Sequence, residues 1–269
     1  MTIQQLASQV KSKLEKDGTM TTKPTKTTDA GILQELKTGG FSDEFVVPIK
    51  RLIMAVEGRE LTGKTHFALG ATEPIIFFNV DLGTEGVVHK FQMLGKQILI
   101  YPVRVPKAST KDAYSVLWGR TKDLLRKAYT LSQGTIIWDT ETELNELVRL
   151  AHFGKLAQVM PQHYAEVNRE IGDIIDWAYD SKMSSIFIRK MKPKWVNNVR
   201  TGEYEGSGWN DMEYKSQVVL TTHRVDGDTG AEFSATVKKC RQNPDITGTT
   251  LVGEMCSFPF LLDLVHGSS

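Results

Sequence analysis

The sequence predicts an α/β protein in which a mostly parallel central sheet is flanked by helices and followed by antiparallel C-terminal strands. From Pro48 onward, short apolar runs alternate with helix-length amphipathic segments. Runs such as Ile75-Ile76-Phe77-Phe78 are apolar on both faces, which is typical of parallel strands covered by helices on two sides. The later runs alternate polar and apolar residues around turns at Asp226-Gly227 and Thr229-Gly230, which favours antiparallel hairpins.

The individual elements follow from their periodicity. Runs of β-branched, aromatic and aliphatic residues predict strands at Arg51–Val56, Pro74–Val80, Ile98–Pro102, Thr135–Trp138, Ser185–Arg189, Gln217–Thr222 and Ala231–Lys239. Apolar residues at helical spacing predict helices at Lys64–Leu69, Val87–Leu94, Lys111–Ser132, Thr142–Phe153 and Gln162–Ser181.

Composition and charge narrow the class of protein. The 269 residues are 40% hydrophobic and carry a net charge of +1, so no global field draws the chain to nucleic acid or membrane. Cys240 and Cys256 form no metal-ligand pattern and suit the core of a protein from a reducing compartment. No apolar stretch is long enough for a membrane span, and early lysines argue against a signal peptide. We therefore expect a cytoplasmic protein without a membrane partner.

The chain is expected to divide into an N-terminal helical and flexible arm, residues 1–47, and one domain, residues 48–269. A four-residue apolar repeat begins the arm, a linker rich in Thr and Lys covers 17–28, and a short helix runs from Asp29 through Lys37. The arm is either partly disordered or a binding element for a partner or another subunit.

The strongest motif is a complete G-x-x-x-x-G-K-[ST] phosphate loop, placed between a predicted strand and a predicted helix. Its glycines let backbone N–H groups approach phosphate oxygens, its lysine supplies a charge to the β- and γ-phosphates, and its threonine hydroxyl can hold Mg²⁺. The predicted nucleotide-binding residues are Gly58, Arg59, Glu60, Leu61, Thr62, Gly63, Lys64, Thr65 and His66.

An apolar strand that ends in Asp139 predicts the second half of the site. Such a strand delivers its carboxylate to the C-terminal edge of the sheet, where Asp139 can hold Mg²⁺ beside Thr65. Glu141 and Glu143 follow closely. They either complement the N-terminus of the next helix or take a direct part in metal binding.

A carboxylate after the second strand is the candidate general base. Asp81 directly follows Phe77-Phe78-Asn79-Val80 and could orient or deprotonate an attacking water, and Glu85 is the competing candidate. A capped turn, in which Asp81 or Thr84 binds backbone N–H groups, is the structural alternative.

With these sites placed, the chain resembles the RecA-like P-loop ATPase core over roughly residues 48–262, as judged from the order of motifs and strands. More narrowly, it looks like the phage-encoded RecA-like ATPases of single-strand annealing and recombination. The resemblance implies ATP and Mg²⁺ as cofactors, a homo-oligomer in the form of a ring or filament, and single-stranded DNA as partner. A single-strand-binding or replication protein could be a further partner, and a phage protein would work in the cytoplasm of a bacterial host.

The resemblance also assigns two basic residues of a late strand. Lys239 and Arg241 match the pair that such proteins direct at the γ-phosphate on the neighbouring subunit, where it stabilises charge on the transferring phosphoryl group. A solvated basic edge strand is the alternative. The predicted catalytic set is thus Lys64, Asp81, Glu85, Asp139, Lys239 and Arg241.

RecA-like cores bind single-stranded DNA with loops beyond the Asp139 strand, and a basic segment fills that place here. Its predicted DNA-binding residues are Lys190, Lys192, Lys194, Trp195 and Arg200. The basic groups would neutralise phosphates and Trp195 could stack on a base, although Glu203 and Glu205 lie close by. The alternative is a mobile, solvated loop with Trp195 folded onto the core.

The chain departs from RecA at three points. Asp81 stands where RecA has glutamate, Arg189 and Lys190 replace the polar amide that senses the γ-phosphate, and the long C-terminal domain is absent. The leading hypothesis is an ATP-hydrolysing recombination protein that binds single-stranded DNA and promotes annealing or pairing. The alternatives are a small-molecule P-loop kinase and a non-catalytic ATP-binding module that loads or recruits a partner.

Overall fold

The computed structural model describes residues 29–43, 49–81, 83–105, 110–155, 163–228 and 230–267. It divides the chain into two units, Met1–Pro48 and Ile49–Ser269. In the first unit, helix α1 spans Asp29–Thr38 and is followed by Gly39-Gly40, as predicted. The other predictions for the arm lie outside the described residues.

The second unit contains the alternating strands and helices. Its strands are β1 (Ile53–Gly58), β2 (Ile75–Asn79), β3 (Ile98–Pro102), β4 (Thr135–Asp139), β5 (Ser184–Arg189), β6 (Met191–Val196), β7 (Val199–Gly206), β8 (Val218–Gly227), β9 (Gly230–Cys240) and β10 (Thr250–Val252). Its α-helices are α2 (Lys64–Leu69), α3 (Glu85–Met93), α4 (Lys111–Ala128), α5 (Glu141–Phe153), α6 (Tyr164–Asp180), α7 (Met212–Lys215) and α8 (Phe258–His266).

The strands form an eight-stranded sheet in the order β10-β9-β8-β1-β5-β4-β2-β3, and β6 and β7 form a separate hairpin. The six neighbouring strands β8, β1, β5, β4, β2 and β3 pair in parallel. Strand β9 pairs antiparallel with both β8 and β10. The predicted fold class, a mostly parallel α/β sheet with antiparallel C-terminal strands, is confirmed.

Alternate residues of the buried strands supply two hydrophobic cores, one on each face of the sheet. Ile53 and Ala55 of β1 pack with α4, α5 and α6, whereas Met54 and Val56 pack with α2, α3 and α8. This two-sided burial explains why the parallel strands are apolar at almost every position.

Several elements differ from the sequence-based expectation. Helix α4 ends at Ala128, and β8 continues to Gly227. The segment of β6 and β7 was predicted as a loop, but the structure shows a hairpin. Asn197-Asn198 at its turn have φ of 50° and 61°, the conformation of a two-residue hairpin turn. The sequence reading also missed α7, β10 and α8.

The carboxyl ends of the parallel strands bring the polar residues of the chain to one edge. In the sheet register Asn79 is level with Asp139, and Glu57 is level with Arg189. The phosphate loop after β1 and the β6–β7 hairpin after β5 therefore start from neighbouring strands at this edge.

Candidate nucleotide site and the adjoining hairpin

The phosphate loop of residues 58–65 lies tightly against β8. A Cβ atom on Gly58 would lie 2.2 Å from Thr222 Oγ1, so this position must be glycine for the loop to pass the strand. The hydroxyl groups of Thr62 and Thr222 are hydrogen-bonded at 2.7 Å, which ties the loop to β8. Gly63 has φ of 88° and precedes α2.

Lys64 is held inside its own loop. Its ammonium group donates to the carbonyl oxygens of Gly58 at 2.9 Å and Arg59 at 2.6 Å. Burial lowers the pKa of Lys64, and the negative charges of Asp139, Glu60 and Asp81 oppose that shift. The ammonium group is thus a half-buried cation whose present partners are neutral carbonyls, which an anion can replace.

Thr65 and Asp139 lie side by side. The Thr65 hydroxyl donates to Asp139 Oδ2 at 2.6 Å, and Asp139 is 2% exposed. Burial raises the pKa of Asp139 to about 6, with a further contribution from Asp81, while the Thr65 hydrogen bond and Lys64 act in the opposite direction. A hydroxyl and a carboxylate are the hard oxygen ligands that Mg²⁺ prefers, so this donor pair fits the ion.

Asp81 is joined to the same place through the backbone. The N–H groups of Val80 and Asp81 both donate to the carbonyl oxygen of Asp139, at 2.8 and 3.0 Å. The charge of Asp81 acts on both Lys64 and Asp139. Glu85 begins helix α3, and the side chains of Asp81 and Glu85 are both exposed. The backbone hydrogen bonds thus place Asp81 beside Asp139.

The outer part of the loop faces solvent. Arg59, Glu60 and Leu61 are exposed. His66 contacts the ring of Phe91 edge-on with centroids 4.8 Å apart, and burial lowers the pKa of its imidazole.

An ionic cluster with a buried centre, which we call the arginine cluster, connects this edge to the hairpin. It consists of Glu57, Glu141, Arg189, Glu213 and Lys238. Arg189 NH1 lies 3.6 Å from Glu57 Oε2, Arg189 Nε lies 3.6 Å from Glu141 Oε2, and both glutamates and the arginine are 2% exposed or less. Lys238 Nζ donates to Glu57 and Glu213, each at 2.9 Å.

The arginine cluster supports the return from the hairpin. Arg189 donates to the carbonyl oxygens of Ser207 and Trp209, both at 3.2 Å, and the Trp209 N–H donates to Glu141 at 2.9 Å. Burial raises the pKa of Glu141 to about 7, while the charge of Arg189 opposes the shift. The sequence reading missed this role for Glu57, Glu141 and Arg189. For Glu57 and Arg189, a charged residue near the end of an otherwise apolar strand was the signal.

The predicted basic loop is a hairpin whose lysines are paired. Lys190 pairs with Glu143, Lys192 with Glu205 at 3.4 Å, and Lys194 with Glu203 at 2.8 Å. β7 and α5 place a carboxylate opposite each lysine, so the nearby glutamates that the sequence shows reduce the positive charge of this segment.

The hairpin tip is apolar and exposed. Trp195 is 61% exposed, and Val196 and Val199 beside it are also exposed. The alternative in which Trp195 folds onto the core is therefore wrong. Arg200 donates to the Tyr204 hydroxyl at 3.1 Å. Trp195 presents a free aromatic face of the kind that can stack on a base.

Lys239 and Arg241 bind their own chain. The ammonium group of Lys239 donates to the carbonyl oxygens of Tyr214 and Ser216, both at 2.9 Å, and Arg241 also donates to that of Tyr214. β10 pairs with residues 234–236 of β9, and the end of β9 that carries Lys239 extends past it, as the alternative of a basic edge strand expects. Lys239 is level with Val219 of β8, near the amino ends of the parallel strands. Lys239 and Arg241 therefore lie away from the phosphate loop.

No protein-family model matches this chain, and no curated protein matches it. A solved structure that does match is that of a KaiC-like protein from the hyperthermophilic archaeon Pyrococcus horikoshii OT3. The two chains are 14% identical, the match covers 72% of this chain and 81% of that one, and the TM-score is 0.43. At this level the similarity carries no information about function.

Across the described ranges, every helix is too short or too polar to cross a membrane.

Proposed function

We propose that this protein is a Mg²⁺-dependent ATPase of the RecA-like type that binds single-stranded DNA. The observation that supports it best is the assembly of Lys64, the hydrogen-bonded pair Thr65–Asp139, and Asp81 at one sheet edge. A phosphate loop alone indicates nucleotide binding, whereas this set also supplies ligands for a metal and a carboxylate for water.

The residues divide the work of hydrolysis. Lys64 exchanges its bond to the Gly58 and Arg59 carbonyls for phosphate oxygens and neutralises their charge. Thr65 and Asp139 would hold Mg²⁺, which supplies charge stabilisation on the phosphate oxygens. Asp81 orients the attacking water and accepts its proton, since it adjoins Asp139 through two backbone hydrogen bonds.

The arrangement of Lys239 and Arg241 supports catalysis across subunits rather than within one. Both lie toward the opposite edge of the sheet from their own phosphate loop. In a homo-oligomer, they exchange the Tyr214 carbonyl for phosphate oxygens bound to the neighbouring subunit. The active ATPase is therefore an oligomer, as a ring or a filament.

The β6–β7 hairpin is the proposed contact with single-stranded DNA. Trp195 stacks on a base, and Arg200 and the partly exposed lysines Lys190, Lys192 and Lys194 contact phosphates. Because each lysine has a carboxylate partner, stacking contributes more to affinity than charge does. The biological role is annealing or pairing in recombination, in the cytoplasm of a bacterial host if the protein is phage-encoded.

Binding measurements test this proposal. We expect ATP with Mg²⁺ to bind the wild-type protein, and Lys64→Ala to weaken that binding while an exposed control, Lys127→Ala, does not. We expect a labelled single strand to bind the wild-type protein, with lower affinity after Trp195→Leu. Nucleotide binding without any strand binding would favour the small-molecule kinase. The non-catalytic module would be favoured if Lys64→Ala bound the strand as the wild-type protein does and the wild-type protein hydrolysed no nucleotide.

A further inference from the structure

The phosphate loop and the hairpin touch directly. The guanidinium group of Arg59, the second residue of the loop, lies 5.0 Å from the ring centroid of Tyr204 on β7. Arg200 also lies over this ring at 5.8 Å, and it donates to the Tyr204 hydroxyl. Tyr204 therefore contacts one cation from the loop and one from the hairpin, at a distance typical of cation–π contacts.

Arg59 is also where the loop holds its lysine. The carbonyl oxygen of Arg59 accepts hydrogen bonds from Lys64 Nζ at 2.6 Å and from Thr62 Oγ1 at 2.8 Å. The backbone of Arg59 thus depends on the position of Lys64, and its side chain depends on Tyr204. An anion that competes for Lys64 removes a donor from the same residue that carries the contact with the hairpin.

We propose that Tyr204 is a positioning residue that couples the hairpin to the phosphate loop through Arg59. When Tyr204 holds Arg59, it stabilises one arrangement of the loop backbone and so sets the affinity of the loop for nucleotide. Binding free energies are reciprocal, so nucleotide in the loop changes the contact at Tyr204 and the affinity of the hairpin for its own ligand.

In the proposed function the loop and the hairpin have separate roles. The coupling rests on that proposal in one respect, which is that the loop binds nucleotide. Single-stranded DNA need not bind for the coupling to exist. An exposed cation–π contact is worth about two- to fivefold in an equilibrium constant, which sets the size of the expected effect.

A double-mutant cycle on the full chain tests the coupling. The dissociation constant of ATP with Mg²⁺ is measured for the wild-type protein, Arg59→Gln, Tyr204→Leu and the double variant. We expect each single variant to change the constant about two- to fivefold, and the double variant to change it no more than the larger single effect. Tyr204→Phe keeps the ring and loses only the hydroxyl, so it should behave as the wild-type protein does.

Hydrogen exchange provides a second readout that a merely structural role would not move. Nucleotide should change the exchange of amides 199–206 in the wild-type protein and in Tyr204→Phe, but not in Tyr204→Leu. Additive effects in the cycle would overturn the coupling while the proposed function stands. The same would follow if nucleotide changed the exchange of these amides in Tyr204→Leu as much as in the wild-type protein. If the wild-type protein binds no nucleotide, the proposed function and this inference both fail.

Discussion

The phosphate loop and the β6–β7 hairpin leave the same edge of the sheet from neighbouring strands, yet only the loop could be read from the sequence. The loop is specified by its own residues, because two glycines, a lysine and a threonine determine its conformation and chemistry together. The hairpin is specified by its neighbours. Lys192 and Lys194 look like a basic run until β7 places Glu205 and Glu203 beside them.

The lysines of the two regions differ in the partners that their ammonium groups have. In the loop, the hydrogen-bond partners of Lys64 among the described residues are neutral carbonyls, so Lys64 remains available to an anion. In the hairpin, the lysines already have carboxylates, so an additional phosphate must compete for them. We therefore expect ligand binding at the loop to depend on one charge, and binding at the hairpin to depend on Trp195.

The largest effect is expected at Lys64. Lys64→Ala removes the cation that neutralises phosphate oxygens, and we expect nucleotide turnover to fall by about 10²-fold or more. The measurement is steady-state hydrolysis at saturating Mg²⁺. Lys127→Ala, at an exposed position of α4, should retain wild-type turnover. A Lys64→Ala protein with unchanged turnover would show that the loop is not the catalytic site.

The next largest effect is expected at Gly208, in the segment that leads from the hairpin back to the arginine cluster. Its φ is 109°, and a Cβ atom there would lie 2.0 Å from Glu141 Oε2 in the arginine cluster. We expect Gly208→Ala to lower the free energy of unfolding by about 4 kcal/mol, from backbone strain and steric overlap together. Gly202→Ala is the matched control, since its φ is 83° but nothing lies within 4 Å of the added atom.

Gly202→Ala should cost only about 1 kcal/mol, the part that comes from backbone strain. Urea denaturation of both variants makes the comparison. Equal losses in the two variants would mean that the arginine cluster does not constrain the return from the hairpin.

Glu141 predicts a pH dependence of stability. Its pKa is raised from 4.5 to about 7 in the folded protein, so the folded state binds more protons than the unfolded state between these values. The stabilising contribution is complete below pH 4.5 and is lost as pH rises through 7, by up to about 3 kcal/mol. Glu141→Gln keeps an acceptor for the Trp209 N–H and should remove this component.

The measurement is the free energy of unfolding of the wild-type protein minus that of Glu141→Gln, across pH 4 to 8 without metal (roughly the span over which this carboxyl titrates). We expect the difference to fall as pH rises. Glu143→Gln, at a partly exposed position of the same helix, serves as control. A difference that is constant with pH would mean that folding leaves the pKa of Glu141 unchanged, and a difference that rises with pH would mean that Arg189 keeps Glu141 ionised in the folded protein.

The smallest effects are expected in the hairpin. Trp195→Leu should weaken single-strand binding about tenfold, because it removes an aromatic stacking surface. Lys194→Gln should change it at most about twofold, since that charge is already paired with Glu203. Fluorescence anisotropy with a labelled strand measures both. A larger loss for Lys194→Gln than for Trp195→Leu would reverse the comparison between loop and hairpin.

The sequence predicted what local patterns determine. Helix α2 and strand β3 have the predicted bounds, and Thr65 meets Asp139 because parallel strands present their carboxyl ends at one edge. It could not predict contacts that depend on tertiary pairing. The partners of Arg189 come from β1, α5 and the segment after the hairpin, and nothing in the local sequence specifies them.

The same limit applies to Lys239 and Arg241. Their spacing indicated a shared direction, but their present partners are carbonyl groups at the end of α7, a four-residue helix that has no clear signal in the sequence.

We propose that one edge of this sheet hydrolyses nucleotide in an oligomer that responds to single-stranded DNA. The most direct test is ATP hydrolysis by the purified protein, with and without single-stranded DNA, over a series of protein concentrations. We expect turnover to rise when the strand is added, and to rise more steeply than linearly with protein concentration. Turnover that is indifferent to both would contradict it.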